Sequence, residues 1–473
     1  MRRTYGELDE GAARAAGALE AAGVRPGDRV VVSADNGPAF LRAWFGALYA
    51  GATVVPVPVT SAAPEIARRA THARARLALV DEPRRPRMAE VGLRTLDVDA
   101  LDGERRDLVD SPNGLAMVLY TSGTTGSPKG AAITHGSLFA HTAALVAHTL
   151  RLSADDVVLG ALPLTHSFGI RMAVLAPFFA GARVALPPAG RFDAAASLAT
   201  CREEGVSWLP AVPTMFDAWA EVAGAPLPAL RWCLSAGAAL PAPVRERARA
   251  RLGAEIREGY GLTEATFTAI DAPPHPPRPG CVGPPVWGVE VRLRRRDGRL
   301  AAPGEVGEIE IRGTNLMAGY LDDAEATRAV MPDGWLRSGD LGRLDDEGVL
   351  TIVDRLKDLI VRGGHNVVPT EVEEVLASHP AVRSVAVVGR PDARYGEEIV
   401  AVLVLREGAV FEPGELDRWV RARLSATKVP RELAVVEALP LGPSRKVLRR
   451  ELRARLRDGR LRAQRLRAPS ESF

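Results

Sequence analysis

The sequence predicts an α/β protein: a large N-terminal domain of parallel α/β layers, a β-rich subdomain at its end, and a small α+β C-terminal domain. Three observations predict it. Apolar strand-like runs alternate with helix-spaced segments through roughly the first 280 residues, the pattern of a parallel sheet covered on both faces. Near residue 280 the character changes to short alternating strands separated by Gly and Asp turns. After Asp354-Arg355-Leu356-Lys357 it changes again, to a compact mixture of helices and strands.

Taken in order, residues 11–22 are Ala-rich with helical spacing, and residues 28–33 (DRVVVS) form a short buried strand. Residues 40–49 are apolar and helical, and 53–59 are extended. The alternation continues with a strand at 116–120, a helix at about 137–150 and a strand near 157–159. A further strand is expected at 230–235, ahead of a helix at 242–252. The β-rich part, about 280–354, holds strands at 289–293, 308–312 and 349–353. Beyond it come a helix at 370–378, strands at 382–389 and 399–405, and a helix at 413–424. The domains are therefore set at 1–354 and 355–473. The tail 449–467 holds nine arginines and reads as a solvated helix.

Composition narrows the class. The chain has 473 residues, a net charge of +3, 47% apolar and 25% charged residues. That is ordinary for a globular protein and excludes wholesale disorder. So even a charge balance supplies no overall field for nucleic acid. Cys201, Cys233 and Cys281 lie too far apart for a disulfide framework or a CxxC metal site, which suits a reducing cytosol. The start, Met1-Arg2-Arg3-Thr4-Tyr5-Gly6-Glu7, lacks the apolar core of a signal peptide. Residues 43–64 are uncharged, but Gly46, Gly51, Pro56, Pro58 and Pro64 break them into helix, turn and strand rather than a membrane span. A cytoplasmic multidomain protein without a transmembrane segment is expected, as monomer or homodimer.

Only four of the 61 basic residues are lysine: Lys129, Lys357, Lys428 and Lys446. Where either cation serves, this composition has drifted to arginine, so a retained lysine marks a place for a compact charge on a mobile stem. Lys129 closes Tyr120-Thr121-Ser122-Gly123-Thr124-Thr125-Gly126-Ser127-Pro128-Lys129-Gly130, directly after an apolar strand. Glycines let backbone N–H groups approach an anion, hydroxyls add donors and lysine adds charge. Such a loop wants phosphate. It is not the P-loop of NTPases, because Pro128 separates Ser127 from Lys129 and no GK[ST] enters a helix.

The loop resembles the phosphate-binding loop of the adenylate-forming superfamily: acyl-CoA synthetases, adenylation domains of nonribosomal peptide synthetases, and luciferases. The resemblance recurs in order along nearly the whole chain. Thr4-Tyr5-Gly6-Glu7-Leu8 is similar to the early motif, and Leu162-Pro163-Leu164-Thr165-His166-Ser167-Phe168-Gly169 to the segment bordering the acyl pocket. Ser235-Ala236-Gly237-Ala238-Ala239-Leu240 and Gly259-Tyr260-Gly261-Leu262-Thr263-Glu264 resemble the adenine and magnesium segments. Ser338-Gly339-Asp340, Asp354-Arg355-Leu356-Lys357-Asp358 and Pro443-Ser444-Arg445-Lys446 complete the set.

The resemblance implies ATP, Mg²⁺ and coenzyme A, or the phosphopantetheine of a carrier protein, as cofactors and cosubstrates. It implies that Glu264 holds Mg²⁺, that Thr263 donates to the α-phosphate, and that Tyr260 and Gly261 face the adenine, with Tyr260 stacked on it. Asp340 accepts the ribose hydroxyls, and Arg355 reaches ribose or phosphate. Lys446 is the catalytic lysine that bridges the attacking carboxylate and the forming acyl-phosphate. In relatives the small domain is mobile and turns about the position of Lys357, so a hinge is expected at 355–357. Gly363 and Gly364 resemble the loop lining the pantetheine channel. His166 either gates the acyl pocket, contacts the carboxylate, or caps the turn at Pro163.

One position departs from the family pattern: Arg445 stands where glycine usually precedes the lysine. The segment His166-Ser167-Phe168-Gly169-Ile170 carries no acidic residue of the kind that holds an amino acid's ammonium group, so an amino acid is disfavoured. Trp208-Leu209-Pro210-Ala211-Val212-Pro213-Thr214-Met215-Phe216 is an apolar wall suited to a fatty or aromatic acid, and the Thr-His-Ser-Phe-Gly run looks most like fatty acyl-CoA ligases. The expected activity is that of an AMP-forming acid–thiol ligase. An acyl-AMP ligase loading an acyl carrier protein is the first alternative, with the Arg-rich tail meeting an acidic carrier. The second is an impaired member that binds an adenylate without turnover. Arg445 favours that reading; Lys129, Thr263, Glu264, Asp340, Arg355 and Lys446 oppose it.

Overall fold

The computed structural model describes residues 2–109, 114–121, 129–363, 365–409, 412–442 and 447–466. Two large sheets organise the first part. One runs Thr95–Asp97, Leu77–Val80, Arg29–Ser33, Thr53–Pro56, Leu115–Thr121, Lys129–Thr134 and Gly319–Tyr320 from edge to edge. Its first five strands are parallel, and the last two add in antiparallel fashion. The other runs Arg183–Ala185, Val157–Leu159, Trp208–Ala211, Trp232–Ala236, Glu255–Leu262 and Thr266–Ile270, parallel but for the final hairpin. Val30, Val31 and Val32 are fully buried, as are Leu209, Cys233 and Leu234. Burial on both faces is why these strands read as unbroken apolar runs.

Helix starts follow local chemistry. The first helix spans Tyr5–Ala21, earlier than residues 11–22, because Thr4 and Glu7 form a reciprocal capping box. Pro38 opens the next helix, Pro38–Tyr49. The helix expected at 137–150 is α-helical only over His135–Ala144; Leu145–Leu150 winds as π-helix and ends at left-handed Arg151.

A third, antiparallel sheet runs Val289–Arg294, Val306–Gly313, Leu336–Leu344 and Leu350–Arg355. It corresponds to the β-rich stretch anticipated from about 280, with Leu336–Leu344 as an additional strand. A fourth sheet joins Ile360–Arg362, His365–Val367, Val382–Asp392, Gly396–Leu405, Glu432–Val435 and Gln464–Arg465. Its core includes Ile360, Val372, Leu376, Leu403, Leu416 and Leu433.

The tail corrects an expectation. Instead of one solvated helix over 449–467, a helix spans Arg449–Arg457 and Gln464–Arg465 pairs with Leu433 and Glu432. Leu452 and Leu456, four residues apart on one helical face, pack against Val388, Val400 and Val402. Arg449 donates to both oxygens of Glu373 at 2.8 and 2.7 Å, and Arg453 donates to Asp358 at 2.9 Å. These arginines anchor the tail to its own sheet. Among the described residues no helix is long and apolar enough to cross a membrane.

Candidate active site

The phosphate-loop candidate lies between two paired strands, Leu115–Thr121 and Lys129–Thr134, with Thr121 opposite Lys129. Ser122, Gly123, Thr124, Thr125 and Gly126 lie outside the described residues. Lys129 Nζ stands 5.1 Å from the centre of the Tyr320 ring. Tyr320 is brought there by the edge strand Gly319–Tyr320, which pairs with Ala132 and Ala131. Its hydroxyl donates to Glu264 Oε1 at 2.9 Å. Burial first, then the Glu264 charge, pushes the Tyr320 pKa far up, so the hydroxyl keeps its proton as a donor. Sequence reasoning missed Tyr320. No local signal marks it, because its partners lie about 190 and 56 positions upstream.

Thr263 and Glu264 occupy the turn between Glu255–Leu262 and Thr266–Ile270, half-buried. Gly261 is needed here: a Cβ would meet the Thr266 carbonyl oxygen at 1.9 Å, across a bulge in the pairing. Thr266 adopts a left-handed φ of 45°, and its hydroxyl lies 3.0 Å from Nδ1 of buried His141. The Tyr320 contact predicts a result. Tyr320→Phe removes a hydrogen bond to a carboxylate, worth about 1.5–3 kcal/mol. The Mg²⁺ concentration for half-maximal pyrophosphate release should rise about tenfold in the variant, with melting temperature little changed. An unchanged Mg²⁺ requirement would show that Tyr320 does not position Glu264 for the ion.

Burial, and then the charge of Arg171, holds the His141 pKa well below the usual imidazole range. The unfolded chain therefore takes up a proton below about pH 6.5 that the folded chain refuses. Stability is unaffected by this group above that pH and falls on acidification by about 1.4 kcal/mol per pH unit below it. His141→Gln should flatten the loss between about pH 6.5 and 5, measured by urea unfolding. A slope identical to wild type would contradict the assignment.

A second cluster sits at the other end of the same strand segment. Asp340 and Arg355 face each other across paired strands, and Arg355 Nε lies 3.0 Å from Asp340 Oδ1. The Tyr260 hydroxyl donates to Asp340 Oδ2 at 2.6 Å. Asp340 is buried, with one oxygen on a cation and the other on a phenol, and Gly339 beside it has a φ of 71° that suits glycine. The structure thus brings Tyr260, Asp340 and Arg355 together, and it gives the Tyr260 hydroxyl a carboxylate partner that the sequence did not reveal.

Glu258 holds the neighbouring loop. Its Oε2 accepts the Leu240 N–H at 3.2 Å, its Oε1 accepts the Gly280 N–H at 3.1 Å, and Arg245 pairs with Oε1. Glu258 and Arg245 are both buried. The pair ties Gly237, Ala238 and Ala239, which follow the strand Trp232–Ala236, to the strand carrying Tyr260. Gly237 takes a φ of 92° at the exit of its strand.

His166 caps the short helix Ser167–Ile170: its Nδ1 accepts the Phe168 N–H at 3.2 Å, and its own N–H donates to Pro163 O at 3.1 Å. This is the turn-capping geometry, which fixes Nδ1 as an acceptor. Gly363 has a φ of 57° and donates to Tyr395 O at 2.8 Å in the turn joining Ile360–Arg362 to His365–Val367. Gly364, Arg445 and Lys446 lie outside the described residues.

Among the described residues no group of three or more His, Cys, Asp or Glu could hold a metal. The donor set is the single carboxylate Glu264. Mg²⁺ keeps several waters and is commonly held by one or two carboxylates plus substrate phosphates. Glu264 thus fits a Mg²⁺ ion that arrives on a nucleotide, not a resident metal cage.

Comparison with known proteins agrees with this geometry. Residues 1–321 match the AMP-binding enzyme family and residues 371–446 match the AMP-binding enzyme C-terminal domain. A feruloyl-CoA synthase of Amycolatopsis sp is 38% identical over 463 residues, 96% of this chain and 94% of the relative. A sulfoacetate–CoA ligase of Cupriavidus necator is 35% identical, covering 95% and 92% of the two chains. The ATP-bound MatB structure from Rhodopseudomonas palustris superposes with a TM-score of 0.89 at 29% identity, covering 96% and 93%. The o-succinylbenzoate CoA synthetase of Bacillus subtilis, in complex with its acyl-adenylate, gives 0.86 at 31% identity, covering 95% and 93%. With both family matches in order and relatives spanning nearly its whole length, the chain belongs to the AMP-binding enzyme family and is an ATP-dependent acyl-CoA ligase of the adenylate-forming kind.

Proposed function

We propose that this ligase activates a non-amino organic acid, aromatic or small, and passes the acyl group to the thiol of coenzyme A. The observation that carries the reading is the spacing of two clusters along one strand and its turn. Tyr260–Asp340–Arg355 offers a carboxylate for ribose hydroxyls, and four residues on Glu264 meets Tyr320 beside Lys129. A nucleotide with its ribose at Asp340 would extend its phosphates toward Lys129 and Glu264.

In the first half-reaction a carboxylate oxygen of the acid attacks the α-phosphorus of ATP, the bond from that phosphorus to its β-bridging oxygen breaks, and pyrophosphate leaves. Attack of one anion on another asks for positioning and charge neutralisation more than covalent help. Lys129 and Lys446 supply cations, Thr263 a hydroxyl donor, and the loop at Thr121–Gly126 its N–H groups. Gly237, Ala238, Ala239 and Gly261 line the adenine, and Mg²⁺ held at Glu264 would neutralise phosphate charge. In the second half-reaction the thiol sulfur attacks the acyl carbon, AMP departs with the bonding pair, and the thiol proton passes to solvent. Rotation at 355–357 would bring Gly363 and Gly364 against the pantetheine arm.

The acid is taken as non-amino because residues 166–170 carry no carboxylate and because buried Trp208, Leu209, Val212, Met215 and Phe216 form the wall. Relatives named for feruloyl, sulfoacetate and oxalate substrates match nearly the full length, whereas one named for long-chain fatty acids matches 73% of this chain. A fatty acid is therefore not singled out. The acceptor is taken as coenzyme A because the full-length relatives are named for it; loading of an acyl carrier protein is the competing outcome.

The test is pyrophosphate release with MgATP over a panel of aromatic, small organic, fatty and amino acids, with coenzyme A and an acyl carrier protein supplied separately. Release with an aromatic or small acid, and thioester on coenzyme A, supports the proposal. Thioester on the carrier protein alone would overturn the acceptor, and a preference for amino acids would overturn the substrate class.

A further inference from the structure

Among the described residues Arg171 is the largest charged side chain fully enclosed by the fold, 1% exposed. It follows the helix Ser167–Ile170 and opens a π-helical turn, Arg171–Leu175, a conformation frequent at functional sites. Of the four other buried arginines, three face a carboxylate, Arg245 with Glu258, Arg257 with Asp271 and Arg362 with Glu398, and Arg251, nearer the surface, donates to the carbonyl oxygens of Val222 and Ala225. Arg171 faces none among the described residues. Its hydrogen bonds both leave from Nη1, to Thr142 Oγ1 at 3.0 Å and Leu138 O at 3.3 Å. Nε has no partner among the described residues, and it lies on the Nε–Nη2 edge, the one that can take an anion through two parallel bonds. Burial lowers the Arg171 pKa only to about 9, so it stays charged at neutral pH. Its neighbour His141 is held neutral, which leaves the positive charge unshared.

A buried, uncompensated cation is costly to stability. A group from outside the fold that completes it would offset that cost. The surroundings say where that group comes from. Phe168, three residues before Arg171, packs edge-on against Phe267 with ring centres 5.3 Å apart. His141 links α-helical residues 138–142 to Thr266, two positions after Glu264. The cation therefore stands one side-chain layer behind the metal-and-phosphate turn, against the segment assigned above to the acyl pocket.

We propose that Arg171 is the counter-ion for a second anionic group, a carboxylate or sulfonate, on the acid substrate, the first carboxylate being the one that is adenylated. This rests on the ligase reading above and narrows its substrate class to acids with two anionic ends.

The test uses matched acids: benzoate against 3-carboxybenzoate and 3-sulfobenzoate, and propionate against succinate and 3-sulfopropionate. Steady-state pyrophosphate release is measured for wild type, Arg171→Met and Arg171→Lys. Wild type should favour a dianionic member of at least one pair by about tenfold or more in kcat/KM. Arg171→Met should lower kcat/KM for that acid about 100-fold, mostly through KM, as expected for a lost charge-assisted fork. Its effect on the monoanionic partner should stay within about threefold, and Arg171→Lys should recover part of the loss. Substrate-free Arg171→Met should melt no lower than wild type, since an apolar side chain relieves the buried charge. Equal losses for both members of a pair, a wild-type preference for the monoanionic member throughout, or a lower melting temperature for Arg171→Met would each overturn the proposal, the last by making Arg171 structural. Wild type that releases pyrophosphate with no acid would instead overturn the ligase reading, and this proposal with it.

Discussion

Glu258→Ala should destabilise the protein by about 3–5 kcal/mol, because it strands the Arg245 guanidinium in the interior. Both side chains are buried, and Glu258 also accepts the N–H groups of Leu240 and Gly280. Removing one partner of such a pair costs far more than removing both. The double variant Glu258→Leu with Arg245→Met should therefore recover much of the loss, although the two N–H groups stay unpaired. Urea unfolding checks this. A single variant within about 1 kcal/mol of wild type would show that the pair holds nothing together.

The second large effect falls on nucleotide affinity. Asp340→Ala deletes the carboxylate that receives Tyr260 and Arg355. Hydrogen bonds to a charged group are worth about 1.5–3 kcal/mol, so KM for MgATP should rise about 10- to 100-fold. With Asp340 at the ribose, as proposed, the KM for the acid should change little. Equal increases for both substrates would place Asp340 in the scaffold rather than at the ribose. Tyr260→Phe should raise KM for MgATP by less, since it removes one partner of Asp340 and leaves the carboxylate in place.

The residues that were legible in the sequence are those whose chemistry is local. The segment from Thr121 to Lys129 reads as a phosphate loop through hydroxyls, glycines and one lysine within a few positions, and residues 122–128 of it lie outside the described structure. The strand–helix alternation likewise exposes the parallel sheets, since full burial leaves unbroken runs such as Arg29–Ser33. Thr4-x-x-Glu7, a helix-start signal passed over in favour of the Ala-rich periodicity, sets the first helix six residues earlier.

What was hidden depends on contacts distant in sequence. Tyr320 sits on a two-residue strand whose pairing with Ala131 cannot be inferred from its neighbours. Asp340 is marked in the sequence only by resemblance, as a ribose acceptor, and Gly339 and Gly342 disguise the strand Leu336–Leu344 that aligns it with Arg355. Arg245 and Arg171 are both buried, and only tertiary structure shows that the first is paired, with Glu258, and that the second faces no carboxylate among the described residues. The tail misled for another reason. Nine arginines dominate its composition, yet Leu452 and Leu456 decide its docking, and the arginine stems and guanidinium groups then settle on Glu373 and Asp358.

The central claim is that this chain adenylates an organic acid. Its most direct test is exchange of labelled pyrophosphate into ATP, which runs the first half-reaction backwards and needs no thiol. Exchange that depends on both Mg²⁺ and an aromatic or small organic acid, and that falls by more than about 100-fold in Lys446→Ala as expected for loss of a transition-state charge contact, is the predicted result. Exchange that is absent with every acid, while the protein still binds ATP, would contradict the account and leave a nucleotide-binding protein without the chemistry.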